Sequence, residues 1–149
     1  MERTLIIVKP EGVQRGLIGN VITRFEQRGL KFVGLKLIHI KPELAEQHYG
    51  VHKGKAFYAG LVKHITSSPV VVGVVEGPRA ISVVRATMGA TNAAEALPGT
   101  IRGDYALEIG FNIVHGSDGP ETATQEINLF FKPEELVDYS LATEQWVHE

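Results

Sequence analysis

Cysteine is absent from all 149 residues. That absence removes disulfides, thiolate zinc sites and cysteine nucleophiles together, and it suits a reducing compartment. Long apolar runs are missing as well. Leu5 to Val8 stops at Lys9 and Pro10, too short for the apolar segment of a signal peptide. No stretch approaches the roughly 18 apolar residues of a membrane span. Charge of one sign is not in excess either: the formal net charge is -2, which gives no global basic field to attract nucleic acid. The expectation is a cytoplasmic protein with neither a membrane nor a specific nucleic acid as partner.

The common phosphate loops are also lacking. "GVHKGKA" from Gly50 is one residue short of a Walker loop and has no hydroxyl residue after the lysine. No GxGxxG follows an apolar strand. "HGSDG" fails as a nucleophile elbow because His115, not glycine, stands two residues before Ser117.

What is present is ordinary globular composition, 44% hydrophobic and 21% charged, in a chain long enough for one domain over residues 1–149 with a real core. Thr4–Val8 is a β-branched apolar run that predicts a strand buried on both faces. Leu17–Arg28 carries an apolar stripe at Leu17, Ile18, Val21, Ile22 and Phe25, closed by Gly29, and predicts a helix. Lys31–Ile40 reads as a second strand. Pro42 opens a short helix through Tyr49 that Gly50 ends. Phe57–Thr66 reads as helix, Val70–Val75 as a buried strand, and Arg79–Met88 as a helix opened by Pro78. Residues 89–103, "GATNAAEALPGTIRG", show little periodicity, and loops this long in compact domains are usually functional or disordered.

The stretch "NIVHGSDG", residues 112 to 119, runs an apolar strand (Asn112, Ile113, Val114) into a histidine and a turn. His115 is either a half-buried ring with a backbone partner or a reactive group on a rigid mount. Asp118, with Pro120 and with Glu121 three residues on, predicts a capping box for a last helix that buries Ala123, Ile127, Phe130 and Phe131. The order β α β α α β α β α then favours one sheet with helices on one face, of the split βαβ type, over a small doubly wound parallel sheet.

Glu126 flanks the buried stripe of that last helix, where a carboxylate needs a partner. It either reaches His115 or passes the stripe edge to water. Lys9 at a strand end, Arg85 near a helix end, and Arg102 in the glycine-rich loop with Thr91 would suit a polyanion such as a triphosphate if they converged. Singly, each reads as a solvated charge. His48 and His52 have the four-residue spacing of a metal pair, but Gly50 interrupts the helix between them and they read as a solvated face. His39, His64 and His148 carry no pattern.

Taken together, "NIVHGSDG", "PGTIRGD", "VKPEGVQRGLIG", "HYG", "FYAGLV" and "KPEELVDY" resemble the nucleoside diphosphate kinase family, and the likeness runs from Glu2 to Glu149. The resemblance implies an α+β fold, a ferredoxin-like βαββαβ antiparallel sheet covered by helices. It implies transfer of the γ-phosphate of a nucleoside triphosphate, mainly ATP, to a nucleoside diphosphate by a ping-pong route through a phosphohistidine on His115, with attack by Nδ1. Imidazole suits that role, because with an ordinary pKa of about 6.5 it is mostly neutral near pH 7.5 and has a free lone pair.

Carried over by resemblance, Glu126 and Ser117 orient the ring and Tyr49 lies beside the transferred phosphate. Arg85, Thr91 and Arg102 bind phosphates, with Mg²⁺ held mainly by the nucleotide. Lys9 and Asn112 hold the ribose hydroxyls, and Phe57 stacks on the base. The resemblance also implies a homohexamer, favoured by the tail through Glu149, or a homotetramer. The chain departs from the family pattern at Lys55-Ala56 (commonly Arg-Pro), Phe111 (commonly Arg), Ala93 (commonly Pro), and Val75 and Phe130 (frequently Trp). Two other classes share some of these features. A nucleotide-sensing module would need the cations and Phe57 but no held histidine, and a phosphohistidine carrier would need His115 but no nucleotide pocket.

Overall fold

The computed structural model describes residues 1–149. Four strands form one sheet: β1 (Glu2–Val8), β2 (Lys31–Ile38), β3 (Val70–Gly77) and β4 (Val114–Gly116), in the order β2-β3-β1-β4 with every neighbouring pair antiparallel. The α+β, ferredoxin-like expectation holds, and the parallel alternative falls. Seven α-helices complete the chain: α1 (Pro10–Gln14), α2 (Ile18–Gln27), α3 (Pro42–His48), α4 (Tyr58–Ile65), α5 (Ala80–Met88), α6 (Ile101–Tyr105) and α7 (Pro120–Phe130). No helix is long and apolar enough to cross a membrane.

The continuous apolar runs of β1 and β3 follow from their central places in the sheet. Side chains alternate across a strand, so Ile6 and Val8 join Val71, Val75, Val21, Phe25, Val84 and Met88 in one core. Leu5 and Ile7 join Val70, Val72, Val74, Ile65, Phe130 and Phe131 in the other. Helices α2 and α5 cover the first face; α3, α4 and α7 cover the second. Helices on one face only is therefore corrected: a strand with no polar side chain over Leu5–Val8 must be sheltered on both sides.

Three local expectations also change. Asp118 caps nothing; Gly119, extended, holds the cap position with no side-chain bond, and Pro120 at the first helical position supplies the preset φ instead. Pro78 does not open α5. Arg79 precedes the helix in a left-handed conformation, and Glu2 supplies the cap by accepting from the Ile81 amide at 2.8 Å. The last strand begins at Val114, not Asn112, so His115 sits within β4 opposite Ile7 rather than beyond its end.

The reason lies at Ile113, whose φ of 76° is rare for a β-branched residue. The Val114 amide bonds back to the Asn112 carbonyl at 2.9 Å, a three-residue γ-turn. Glu11 on α1 accepts from the Ile113 amide at 3.0 Å, and Lys9 N–H donates to the Ile113 carbonyl at 2.8 Å. Such strain persists only where neighbours over-determine it, and here they fix the start of the strand that carries His115.

Candidate active site

The pleat of β4 sends His115 to the side of the sheet that α3 and α7 cover, because directly paired residues share a face and Ile7 packs there. Glu126 meets it from α7. His115 Nε2–H donates to Glu126 Oε1 at 3.0 Å, and Ser117 Oγ donates to the same oxygen at 2.5 Å. Of the two readings of Glu126, the pairing with His115 is the one observed. Burial works against its ionisation, yet the bonds from His115 and Ser117, with His48 close by, hold its carboxyl below the usual carboxylate range. Nε2 being engaged, the lone pair of Nδ1 is the ring's free one.

In front of the ring lies a cleft of about 650 Å³. Lys9, Tyr49, Arg85, Thr91, Arg102 and Asn112 all line it together with His115 and Glu126. Convergence, which spacing could not give, is thus present. Ser117 is fully buried behind the ring, and Phe57 stands outside the lining with half its surface exposed.

The cations are not solvated charges. Arg102 is 4% exposed, and its guanidinium donates to the carbonyls of Asn112 at 3.2 Å, Gly89 at 3.0 Å and Val114 at 2.7 Å. It thereby clamps the glycine-rich loop to β4. Burial, with Arg85 nearby, pulls its pKa down to about 10, so it remains charged at neutral pH. The loop can close this tightly because of Gly103 and Gly89: a Cβ on Gly103 would overlap the Leu97 carbonyl, and one on Gly89 the Thr100 hydroxyl. Thr100 caps α6 by accepting from the Gly103 amide at 3.0 Å. What lacked periodicity is a folded loop containing a 3₁₀ turn and α6.

Lys9 Nζ donates to Asn112 Oδ1 at 2.7 Å, and Asn112 Nδ2 donates to the Thr91 carbonyl at 2.9 Å, so the three form a chain across the cleft floor. Burial lowers the Lys9 ammonium to about 8, with Glu11 opposing and Arg102 adding to the shift. Arg85 Nη1 donates to the Gly116 carbonyl at 3.2 Å. Tyr49 follows α3, and burial raises its phenol to about 12, keeping its hydroxyl a donor.

Two residues escaped the sequence. His48 is not on a solvated face: its side chain is 2% exposed, its ring lies 5.0 Å from that of His115, and its Nδ1 is 3.5 Å from Glu126 Oε2. Burial first, and the neighbouring His115 second, lower its pKa to about 4. The available signal was helical, since His48 follows Leu44 and Ala45 at the spacing of one packed face. His52 is separate, with its ring 5.2 Å from Phe57. Glu11 is the other. Its carboxylate is buried between the Ile113 amide and His64 Nε2, 2.8 Å away, and although burial opposes, those bonds hold it below the ordinary range.

A Mg²⁺ ion asks for hard oxygen ligands. The carboxylates lining the cleft are Glu126, committed to His115 and Ser117, and the exposed Asp118. The protein's own donors here are mainly cationic or amide, a set that fits an ion carried in on phosphate oxygens rather than a protein cage.

The family model described as nucleoside diphosphate kinase matches residues 2–136. The nucleoside diphosphate kinase of Thermomicrobium roseum is 63% identical over 147 residues, 99% of each chain. That of Archaeoglobus fulgidus is 56% identical over 149 residues, 100% of this chain and 99% of its own. Among solved structures, a halophilic nucleoside diphosphate kinase from Halobacterium salinarum in complex with CDP superposes with a TM-score of 0.97 at 52% identity, covering 99% of each chain.

Proposed function

Because the chain belongs to the nucleoside diphosphate kinase family, whose members move a phosphate from nucleoside triphosphate to nucleoside diphosphate through a phosphohistidine, we propose that His115 is the residue that carries it. The observation behind this is the His115–Glu126–Ser117 chain, which ties up Nε2 and leaves Nδ1 free toward a cationic cleft. The Nδ1 lone pair attacks the γ-phosphorus of ATP as the bond to the β–γ bridging oxygen breaks, and ADP departs. A terminal oxygen of the acceptor diphosphate then attacks the phosphohistidine and restores the ring. Glu126 stabilises the positive charge that grows on the imidazole in both half-reactions.

Positioning and charge neutralisation are most of what phosphoryl transfer requires. Arg85, Arg102 and Thr91 grip the phosphates, and the Tyr49 hydroxyl sits beside the group in flight. Lys9 and Asn112, already bonded to each other, hold the ribose hydroxyls, with Lys9 also facing the phosphates. Phe57 stacks on the base, a contact any base can make, so purine and pyrimidine nucleotides are both substrates. When bound to the nucleotide, Mg²⁺ would supply neutralisation of the phosphate charge alongside Arg85 and Arg102. Glu126, Ser117 and Tyr49 support His115, and no side chain is a dedicated Mg²⁺ ligand.

The same reading extends to assembly and location. The domain of residues 1–149 works in the cytoplasm as a homohexamer, with a homotetramer as the alternative. Leu35 and Leu37 on the edge strand β2, and Leu107, Ile109 and Phe111 before β4, are exposed apolar side chains that support an assembly. Sedimentation that gave a monomer would remove it. The mechanism is tested by initial rates with ATP and GDP both varied: a ping-pong route gives parallel double-reciprocal lines, and converging lines would refute a free phosphoenzyme.

A further inference from the structure

Glu126 faces two imidazoles, and phosphate transfer through His115 uses only one of them. His48, from the end of α3, reaches the other carboxylate oxygen: its Nδ1 lies 3.5 Å from Oε2, while His115 Nε2 lies 3.0 Å from Oε1. The His48 nitrogen is buried and has no hydrogen-bond partner. Buried polar atoms are nearly always satisfied, and one that is not calls for a reason. The three ligand-type atoms of His48, His115 and Glu126 lie within 4.8 Å of one another.

We propose that His48, His115 and Glu126 form a site for a borderline transition-metal ion, Zn²⁺ above all, whose occupancy shuts off His115. A tetrahedral zinc with bonds of about 2.0–2.1 Å holds its ligands about 3.3 Å apart. His115 Nε2 stands 3.0 Å from Oε1 and His48 Nδ1 3.5 Å from Oε2, so each nitrogen lies near that spacing from one of the two carboxylate oxygens. Two imidazoles and one carboxylate are a ligand set that leaves a fourth position open, and here it would open to the cleft that all three residues line. The nitrogen pair also selects the metal, since imidazole suits Zn²⁺ whereas Mg²⁺ prefers oxygen. The site is therefore separate in chemistry from the ion that arrives on a nucleotide.

The cost to catalysis follows from the proton. Zn²⁺ on His115 Nε2 takes the lone pair exposed when the Nε2 proton leaves its bond to Glu126 Oε1. A neutral, metal-bound imidazole then carries that proton on Nδ1, so the lone pair that attacks phosphorus is gone. This inhibitory consequence rests on His115 as the phosphate carrier; the metal binding does not.

The test uses the full chain stripped by a chelator, without nucleotide. Calorimetry with Zn²⁺ should show one ion per chain, and Co²⁺ should give the visible d–d bands of a tetrahedral site. His48→Gln should weaken Zn²⁺ binding by at least about tenfold, since even losses beyond the ligands themselves reach that size. If His48→Gln does not fold, His115→Asn, at a partly exposed side chain, reads the same site. Absence of a stoichiometric ion, or wild-type Zn²⁺ affinity in either folded variant, would overturn the site. Labelling by γ-labelled ATP that proceeds unchanged in Zn²⁺-saturated protein would overturn the inhibition. Because binding is read without nucleotide, a missing metal site and a missing phosphohistidine are distinct results.

Discussion

The two walls of the cleft are built differently. One wall is β4 with α7 and the glycine-rich loop, where Arg102, Asn112, Ser117 and Glu126 are all buried and hydrogen-bonded. The other is the connection from α3 to α4, residues 50–57, where no residue is buried, Val51 on the lining is mostly exposed, and Phe57, just outside the lining, is half exposed. In the proposed mechanism the buried wall carries His115 and the groups that hold it and the phosphate to within a few tenths of an ångström. In the proposed mechanism the exposed wall holds the group that need only lie flat against a base. On that reading rigidity is placed where chemistry needs it, and tolerance where many bases are to be accepted.

Changes to the buried wall should therefore lower kcat, and changes to the exposed wall should raise KM. The largest effect is expected for His115→Ala: turnover should fall by at least about a thousandfold while ADP affinity, read by equilibrium binding, stays within a few-fold. Retained turnover would break the comparison at its centre. Glu126→Ala comes next. Losing a hydrogen bond to a charged group costs about 1.5–3 kcal/mol, so kcat should drop roughly 10- to 100-fold, and single-turnover labelling should slow equally. A KM effect alone would place Glu126 on the wrong side of the division.

Phe57→Ala should raise KM about tenfold for GDP and CDP alike, from a stacking loss of roughly 1–3 kcal/mol, with kcat nearly unchanged. An effect confined to one base would show that the exposed wall discriminates between bases after all. The pH dependence is smaller. Lys9 is a base whose folded pKa, about 8, lies below its ordinary 10.5 because it is buried. It is charged below pH 8 and loses that charge as pH rises through 8, so kcat/KM for nucleotide should fall above pH 8. Lys9→Met should flatten that limb of the profile, and an unaltered limb would assign the titration elsewhere. The smallest effect is expected at Ala56, which follows Lys55 in the turn closed by the Tyr58 amide on the Lys55 carbonyl. Proline is favoured at that turn position, so Ala56→Pro should lower KM by at most about fivefold by stiffening the exposed wall.

The same division explains what the sequence could disclose. β1, α2, β3 and the stripe of α7 are legible because burial imposes periodicity on a continuous segment, as Leu5–Val8 and Ala123–Phe130 show. The histidine motif is legible because strand, ring and turn lie within eight residues. Convergence is not, since Lys9 and Asn112 meet across 103 positions and Glu11 supports Ile113 across 102. Glu11 acts through a backbone amide, which no residue type announces. Sequence alone misplaces His48 because Gly50 marks only where its helix ends, whereas the packing of α3 on α7 decides its surroundings. The capping box at Asp118 fails for a local reason, Pro120 fixing the helix start one residue later. Resemblance to the family supplied what local pattern could not, the gathering of Arg85, Thr91, Arg102 and Asn112 around one ring.

One measurement bears most directly on the buried wall as the seat of the chemistry. Purified protein is mixed with γ-labelled ATP and Mg²⁺, and the label is mapped before and after a chase with GDP. A reactive His115 predicts up to one phosphate per chain on that residue, acid-labile and alkali-stable, removed by GDP as labelled GTP. Folded protein that binds ADP but takes no label, or a label on any other residue that GDP removes at the turnover rate, would contradict it.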